Sequence, residues 1–426
     1  MANNSIFTHK LFHILITFVA LTCEATYGDQ FVGVQGTEFV LNGQPFLFNG
    51  FNSYWMMHVA AEPAERGKVT EVLREAAANG LTVCRTWAFS DGGDHALQVS
   101  PGMYNEFVFQ GLDFVISEAQ KYGIRLILSL VNNFKDFGGR AQYVQWAQNA
   151  GAAVNGEDDF YTNEVVKGYY KNHVKTVLTR INTMTNMAYK DDSTIMAWEL
   201  MNEPRCQSDY SGKMINGWIQ EMSTYAKSLD EKHLLEAGME GFYGDSMPEK
   251  KQLSGQTDDA QTAFVQRWMW SHWDDARRIL QKPLVFAEFG KSKKDPGYTV
   301  DGRDAYLDTV YRSIYRFARS GGGSMAGGLV WQVMAEGMES YDDGYEIVLS
   351  QEPVTTGLIA RQSKVMSVLA HMLGGPAEAS RQQEMNMAAS VGGRRHRRGR
   401  GSGGGHRRHR KGNKGGALHG SRMAHP

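Results

Sequence analysis

The chain has 426 residues, 42% hydrophobic and 21% charged, which suits one large α/β domain with a full core and excludes a disordered or fibrous protein. Its formal net charge of −1 hides an uneven distribution: residues 392–426 hold 11 Lys and Arg and no acid, which leaves 34 basic against 46 acidic residues before them. An acidic body of that kind is no nucleic-acid binder, and three cysteines are too few for a disulfide scaffold.

In chain order, Lys10 precedes the apolar stretch Leu11–Leu21, broken only by His13 and Thr17, with small residues at Ala25 and Gly28. This pattern predicts a secretory signal over residues 1–28, too short for a comfortable membrane span, and hence an extracellular, cell-wall location. Once the signal is removed, no other segment approaches a span. Phe31–Phe48 reads as a hairpin with Asn42-Gly43 as its turn. Strands are then expected near Phe46–Asn52, Thr82–Trp87, Ile124–Leu130, Ile195–Leu200, His233–Ala237, Leu284–Glu288 and Gly328–Val333. Helices are expected near Ala64–Ala78, Gly111–Tyr122, Val165–Ala188, Met214–Leu229, Ala260–Leu280, Asp304–Ser320 and Ser363–Leu373.

Repeated βα units imply a parallel sheet, and Gly50-Phe51-Asn52-Ser53 lacks the glycine pattern of a dinucleotide fold. A (β/α)8 barrel over residues 29–373 is the expected architecture. One strand of eight is missing from the pattern, between Ala237 and Leu284. From residue 374 the pattern stops, and a basic, Gly-, Arg- and His-rich tail with nothing to bury is expected to be disordered. Cys84 and Cys206 remain after the signal, and the sequence leaves open whether they pair.

Two glutamates stand out. Glu203, in Trp198-Glu199-Leu200-Met201-Asn202-Glu203-Pro204, and Glu288, in Phe286-Ala287-Glu288-Phe289-Gly290, each follow an apolar, strand-like run that Pro or Gly then breaks. Paired carboxylates at the C-terminal ends of barrel strands are what glycoside hydrolysis needs, one as acid and base and the other as nucleophile. No metal or organic cofactor enters that chemistry.

Five segments carry a more specific resemblance: Phe48-Asn49-Gly50-Phe51-Asn52-Ser53-Tyr54-Trp55-Met56, Cys84-Arg85-Thr86-Trp87-Ala88-Phe89-Ser90-Asp91-Gly92, Asn202-Glu203-Pro204-Arg205, Phe286-Ala287-Glu288-Phe289-Gly290 and Leu329-Val330-Trp331-Gln332. In this order the chain resembles the plant endo-β-mannanases of glycoside hydrolase family 5, from about Gln30 to Leu373. The resemblance implies a retaining (β/α)8 glycosidase acting on mannan-type polysaccharide as a monomer, with no nucleic-acid partner. It makes Glu203 the acid/base and Glu288 the nucleophile, with Arg85 beside the nucleophile. It implies that Asn202 contacts the sugar 2-hydroxyl, that Trp331 floors the −1 subsite, and that Trp87 and Trp55 line the cleft. Asn132 and Asn133, ending the third strand, are expected to reach the substrate.

The family's sixth strand, with a His-x-Tyr pair whose Tyr contacts the nucleophile, has no counterpart near Gln252 and Leu253. Losing one strand changes a barrel's stagger and radius or leaves two edges unpaired. That departure supports an alternative reading, a non-catalytic mannan-binding member of the family. An endo-β-1,4-glucanase is the alternative within the same chemistry, and polyanion binding by the tail is a fourth reading.

Overall fold

A computed structural model describes residues 31–241, 258–320 and 323–375. The expected signal, the tail beyond residue 375 and the Gln252–Leu253 region lie outside them. Seven parallel strands form one curled sheet: β1 (Phe48–Asn52), β2 (Val83–Trp87), β3 (Arg125–Ser129), β4 (Ile195–Glu199), β5 (Leu234–Glu236), β6 (Leu284–Phe289) and β7 (Met325–Val330). Their order across the sheet is β5-β4-β3-β2-β1-β7-β6. The first strand therefore lies between the second and the last, as a barrel requires. Among the described residues no strand pairs with the outer edge of β5 or of β6.

Strands β1 to β4 and β7 are buried along their whole length, so their runs are largely apolar on both faces, whereas the edge strands β5 and β6 are only partly buried. One face packs against the helices: Phe51, Cys84, Leu126, Leu128, Trp198 and Val330 belong to a core shared with helices 56–61, 106–121 and 300–319. The other face fills the barrel with Phe48, Val83, Ile127, Ala197 and Leu329, and Val32, Phe39 and Leu41 of the N-terminal hairpin join this cluster. The hairpin thus packs onto the barrel interior, each fully buried large side chain contributing about 1.5–3 kcal/mol. Gly50 is obligatory, because a Cβ there would overlap the Val83 carbonyl and the Leu329 side chain.

The seven expected strands all form, and the hairpin turns at Asn42-Gly43 with φ of 57° and 73°. The last strand begins three residues before its expected start. Two helix boundaries differ by nine residues or more. The helix expected over Val165–Ala188 spans Glu164–Thr179, because Asn182 accepts from the Met184 and Thr185 amides and turns the chain. The final helix begins at Pro353, ten residues before expected, with proline where its missing N–H costs nothing. Helix Gly139–Asn149 was not expected at all, its Gln142, Gln145 and Gln148 weakening the apolar period. Cys84 and Cys206 are both free and buried. No helix among the described residues is long and apolar enough to cross a membrane.

Candidate active site

Alternation along each strand sends residues at its C-terminal end to the centre of the sheet. On β2, Val83 enters the inner core, and Arg85, two residues on, reaches the site. Its guanidinium is 2% exposed and organises the whole constellation. It holds Glu199 at the end of β4 through Nε to Oε2 at 2.9 Å and Nη2 to Oε1 at 2.7 Å. Nη1 donates to Glu288 Oε1 at 2.5 Å and to Asn52 Oδ1 at 3.2 Å. Nη2 also donates to Asn202 Oδ1 at 2.6 Å. The Arg85 charge further lies over the Trp87 ring, 4.8 Å from its centroid.

Glu288 owes its aim to a bulge. Phe286 pairs with Gly328 and Phe289 with Val330, so β6 spends three residues where β7 spends two. The extra residue lets Glu288 reach Arg85 although Ala287, beside it, packs with the inner core. The Glu288 side chain is 31% exposed. Burial raises its carboxyl above the usual range, while the contact with Arg85 pulls the other way.

Glu203 sits four residues beyond the end of β4, in a left-handed backbone conformation with φ of 52° that costs a non-glycine residue about 1 kcal/mol or more. Its amide donates to Gly238 O at 3.0 Å, tying the loop after β4 to the loop after β5. Burial pushes its carboxyl up to about 7, reinforced by the charges of Glu288 and Glu240 and opposed by Arg85 and Arg205. Arg205 and Glu240 form an ion pair beside it, with Nε to Oε2 at 2.9 Å. The two glutamates therefore differ in kind. Glu288 accepts directly from a guanidinium, which favours its ionised form, and among the described residues no guanidinium donates to Glu203, which favours its proton.

The remaining expected residues divide. Asn202 donates to Asn132 Oδ1 at 3.0 Å, and Asn132 in turn accepts from the Phe134 amide at 3.2 Å, so the loops after β3 and β4 brace each other. Asn133, also buried, accepts from the Arg205 amide at 3.3 Å. Trp331, half-buried, stacks on Tyr54 at 5.6 Å and 9°, and its Nε1 donates to Asp343 Oδ2 at 2.7 Å. Trp87 is 4% exposed and packs on Phe89 and Trp331, forming the back of this aromatic wall.

Trp55 corrects an expectation. It is fully buried, with Nε1 donating to Val333 O at 3.2 Å, and it offers no surface to a ligand. The chain turns into helix 56–61 at this point, so Tyr54 faces the aromatic wall and Trp55 enters the helix-side core. Sequence reasoning also missed Asn52, Glu199, Glu236, Tyr54 and Asp343. Glu199 carried the clearest signal, an acid closing an apolar strand four residues before Glu203.

A parallel β/α sheet with two glutamates at its C-terminal end, one raised by burial and one held by a guanidinium, flanked by an aromatic wall, defines a barrel-type glycoside hydrolase. Residues 29–274 match the family model described as GH family 5 beta-mannosidase-like, and the chain belongs to that family. It is 60% identical over 403 residues to mannan endo-1,4-beta-mannosidase 5 of Solanum lycopersicum, covering 85% of this chain and 97% of that protein. Mannan endo-1,4-beta-mannosidase 1 of Oryza sativa subsp. japonica is 53% identical, with 80% and 87% covered. The solved endo-beta-1,4-mannanase from Thermotoga petrophila superposes with a TM-score of 0.65 at 29% identity, over 76% of this chain and 78% of that one.

Proposed function

We propose that this protein is a secreted endo-β-1,4-mannanase that cleaves internal bonds of mannan, glucomannan and galactomannan with retention of configuration. The observation that carries the reading is the asymmetry between Glu203 and Glu288 around Arg85. In the first step Glu203 protonates the departing glycosidic oxygen while Glu288 attacks the anomeric carbon. In the second, Glu203, now ionised, takes a proton from water, which displaces Glu288 and releases the sugar. Asn202, fixed between Arg85 and Asn132, offers its second amide hydrogen to the sugar 2-hydroxyl. Trp331, held flat by Tyr54 and Asp343, stacks on the ring that reacts.

The plant relatives named above, which are mannan endo-1,4-beta-mannosidases across most of this chain, support the substrate class. Secretion rests on Lys10 and the apolar stretch Leu11–Leu21, with residues 29–373 as the catalytic domain. The test is release of reducing ends from glucomannan by the full chain expressed in a secreting host, with Glu288→Ala as blank. Turnover that disappears in the variant supports the reading. One observation favours a second reading, a mannan binder without turnover: among the described residues the outer edges of β5 and β6 are unpaired. A cooperatively folded protein that binds mannan but releases no reducing ends would establish it. Faster release from cellulose than from mannan would instead make the protein a glucanase.

A further inference from the structure

Four glutamates, Glu199, Glu203, Glu236 and Glu288, converge where the proposed chemistry occurs, and the Arg85 guanidinium holds two of them, Glu199 and Glu288. Glu236 closes β5, and in the parallel register it lies directly beside Glu199 of β4. Registered neighbours in a sheet point to the same side, so the Glu236 carboxyl stands next to the Glu199 carboxylate on the inner face. Arg85 has five N–H donors, and all five are spent: two on Glu199 and one each on Glu288, Asn52 and Asn202. None remains for Glu236. Among the described residues, the charged groups that face it are Glu199 from β4, Arg85 from β2 and Glu288 from β6, two acids against one cation already engaged. A third carboxylate at this place would repel both Glu199 and Glu288 in a half-buried setting, where such repulsion is weakly screened.

We propose that Glu236 is a positioning residue that carries a proton in the working enzyme and presents it to Glu199, so that Arg85 keeps its grip on Glu288. Two carboxyls side by side share a proton more readily than they bear two charges. The shared proton satisfies an acceptor of Glu199 and leaves the guanidinium centred between Glu199 and Glu288. Consistent with this, burial and the neighbouring Glu199 push the Glu236 carboxyl up to about 8. The role rests on the reading of Glu288 as nucleophile, but the protonation of Glu236 does not, and the test separates them.

The experiment compares the full wild-type chain with Glu236→Gln and Glu236→Ala. The first readout is Tm from pH 5 to pH 9. A carboxyl whose folded value is raised keeps a proton that the unfolded chain releases, so stability falls as pH rises from about 4.5 towards about 8. Glu236→Gln is expected to flatten that fall. The second readout is the infrared carbonyl band of a protonated carboxylic acid at pH 6.5, expected in wild type and lost in Glu236→Gln. The third is activity on glucomannan: Glu236→Ala is expected to lose about tenfold in kcat with little change in KM, and Glu236→Gln, whose amide still donates to Glu199, to restore most of it. Equal Tm slopes for wild type and Glu236→Gln, or no difference in the carbonyl band, would overturn the proposal. If the wild-type chain released no sugar at all, the proposed function would fail while the first two readouts still decided the protonation of Glu236.

Discussion

Replacing Arg85 by lysine keeps the charge and removes the fork, and the structure says how much that matters. The guanidinium spends five N–H groups on four side chains: Glu199, Glu288, Asn52 and Asn202. A lysine ammonium has three donors radiating from one point and cannot span Glu199 and Glu288 together. At least two charge-assisted hydrogen bonds are lost, each about 1.5–3 kcal/mol, a total of about 3–6 kcal/mol. Part of this falls on folding, because Glu199 is fully buried and would lose its bidentate partner. If about 3–4 kcal/mol falls on the transition state, kcat/KM drops by two to three orders of magnitude. The assay is kcat/KM on glucomannan together with a thermal melt, which apportions the loss between catalysis and stability. An Arg85→Lys variant within threefold of wild type would refute the claim that the fork holds Glu288 in place.

Three further outcomes are expected. In the proposed mechanism Glu203 donates a proton, and its carboxyl is raised to about 7, so activity should fall as pH rises through about 7; Glu203→Gln should lose turnover on mannan yet keep glycosylation by a substrate with an activated aryl leaving group. Trp55→Phe removes the hydrogen bond to Val333 O and should lower stability by about 1–3 kcal/mol with KM unchanged, because the side chain touches no ligand. Burial alone would raise the Asp230 carboxyl, but hydrogen bonds from His233 Nδ1 at 2.5 Å and Trp198 Nε1 at 2.7 Å hold it well below the usual range. Its stabilisation is present above the unfolded value near 4 and is lost as pH falls below it, so Asp230→Asn should lower Tm at pH 7 and reduce the drop seen in acid.

The amino-acid sequence by itself determined the barrel strands, because each is a short apolar run ended by a breaker. It also determined the two glutamates, because each follows an apolar run that Pro or Gly then breaks, while Arg85 was legible only through the resemblance to the family. Helix boundaries were less legible: Asn182 and Pro353 act through a local turn and a first-turn position that apolar periodicity does not register. Tertiary structure alone decided three matters. It chose Tyr54 over Trp55 for the aromatic wall, since two adjacent aromatic residues at a helix start differ only in which side they face. It placed Glu288 beside Arg85 through a bulge between β6 and β7, a mismatch of pairing that neither strand shows alone. And it set Glu236 against Glu199, residues 37 apart whose adjacency is a matter of strand register. Propensity and pattern are properties of neighbours along the chain, whereas charge balance is set by neighbours in space, and only the folded sheet supplies those.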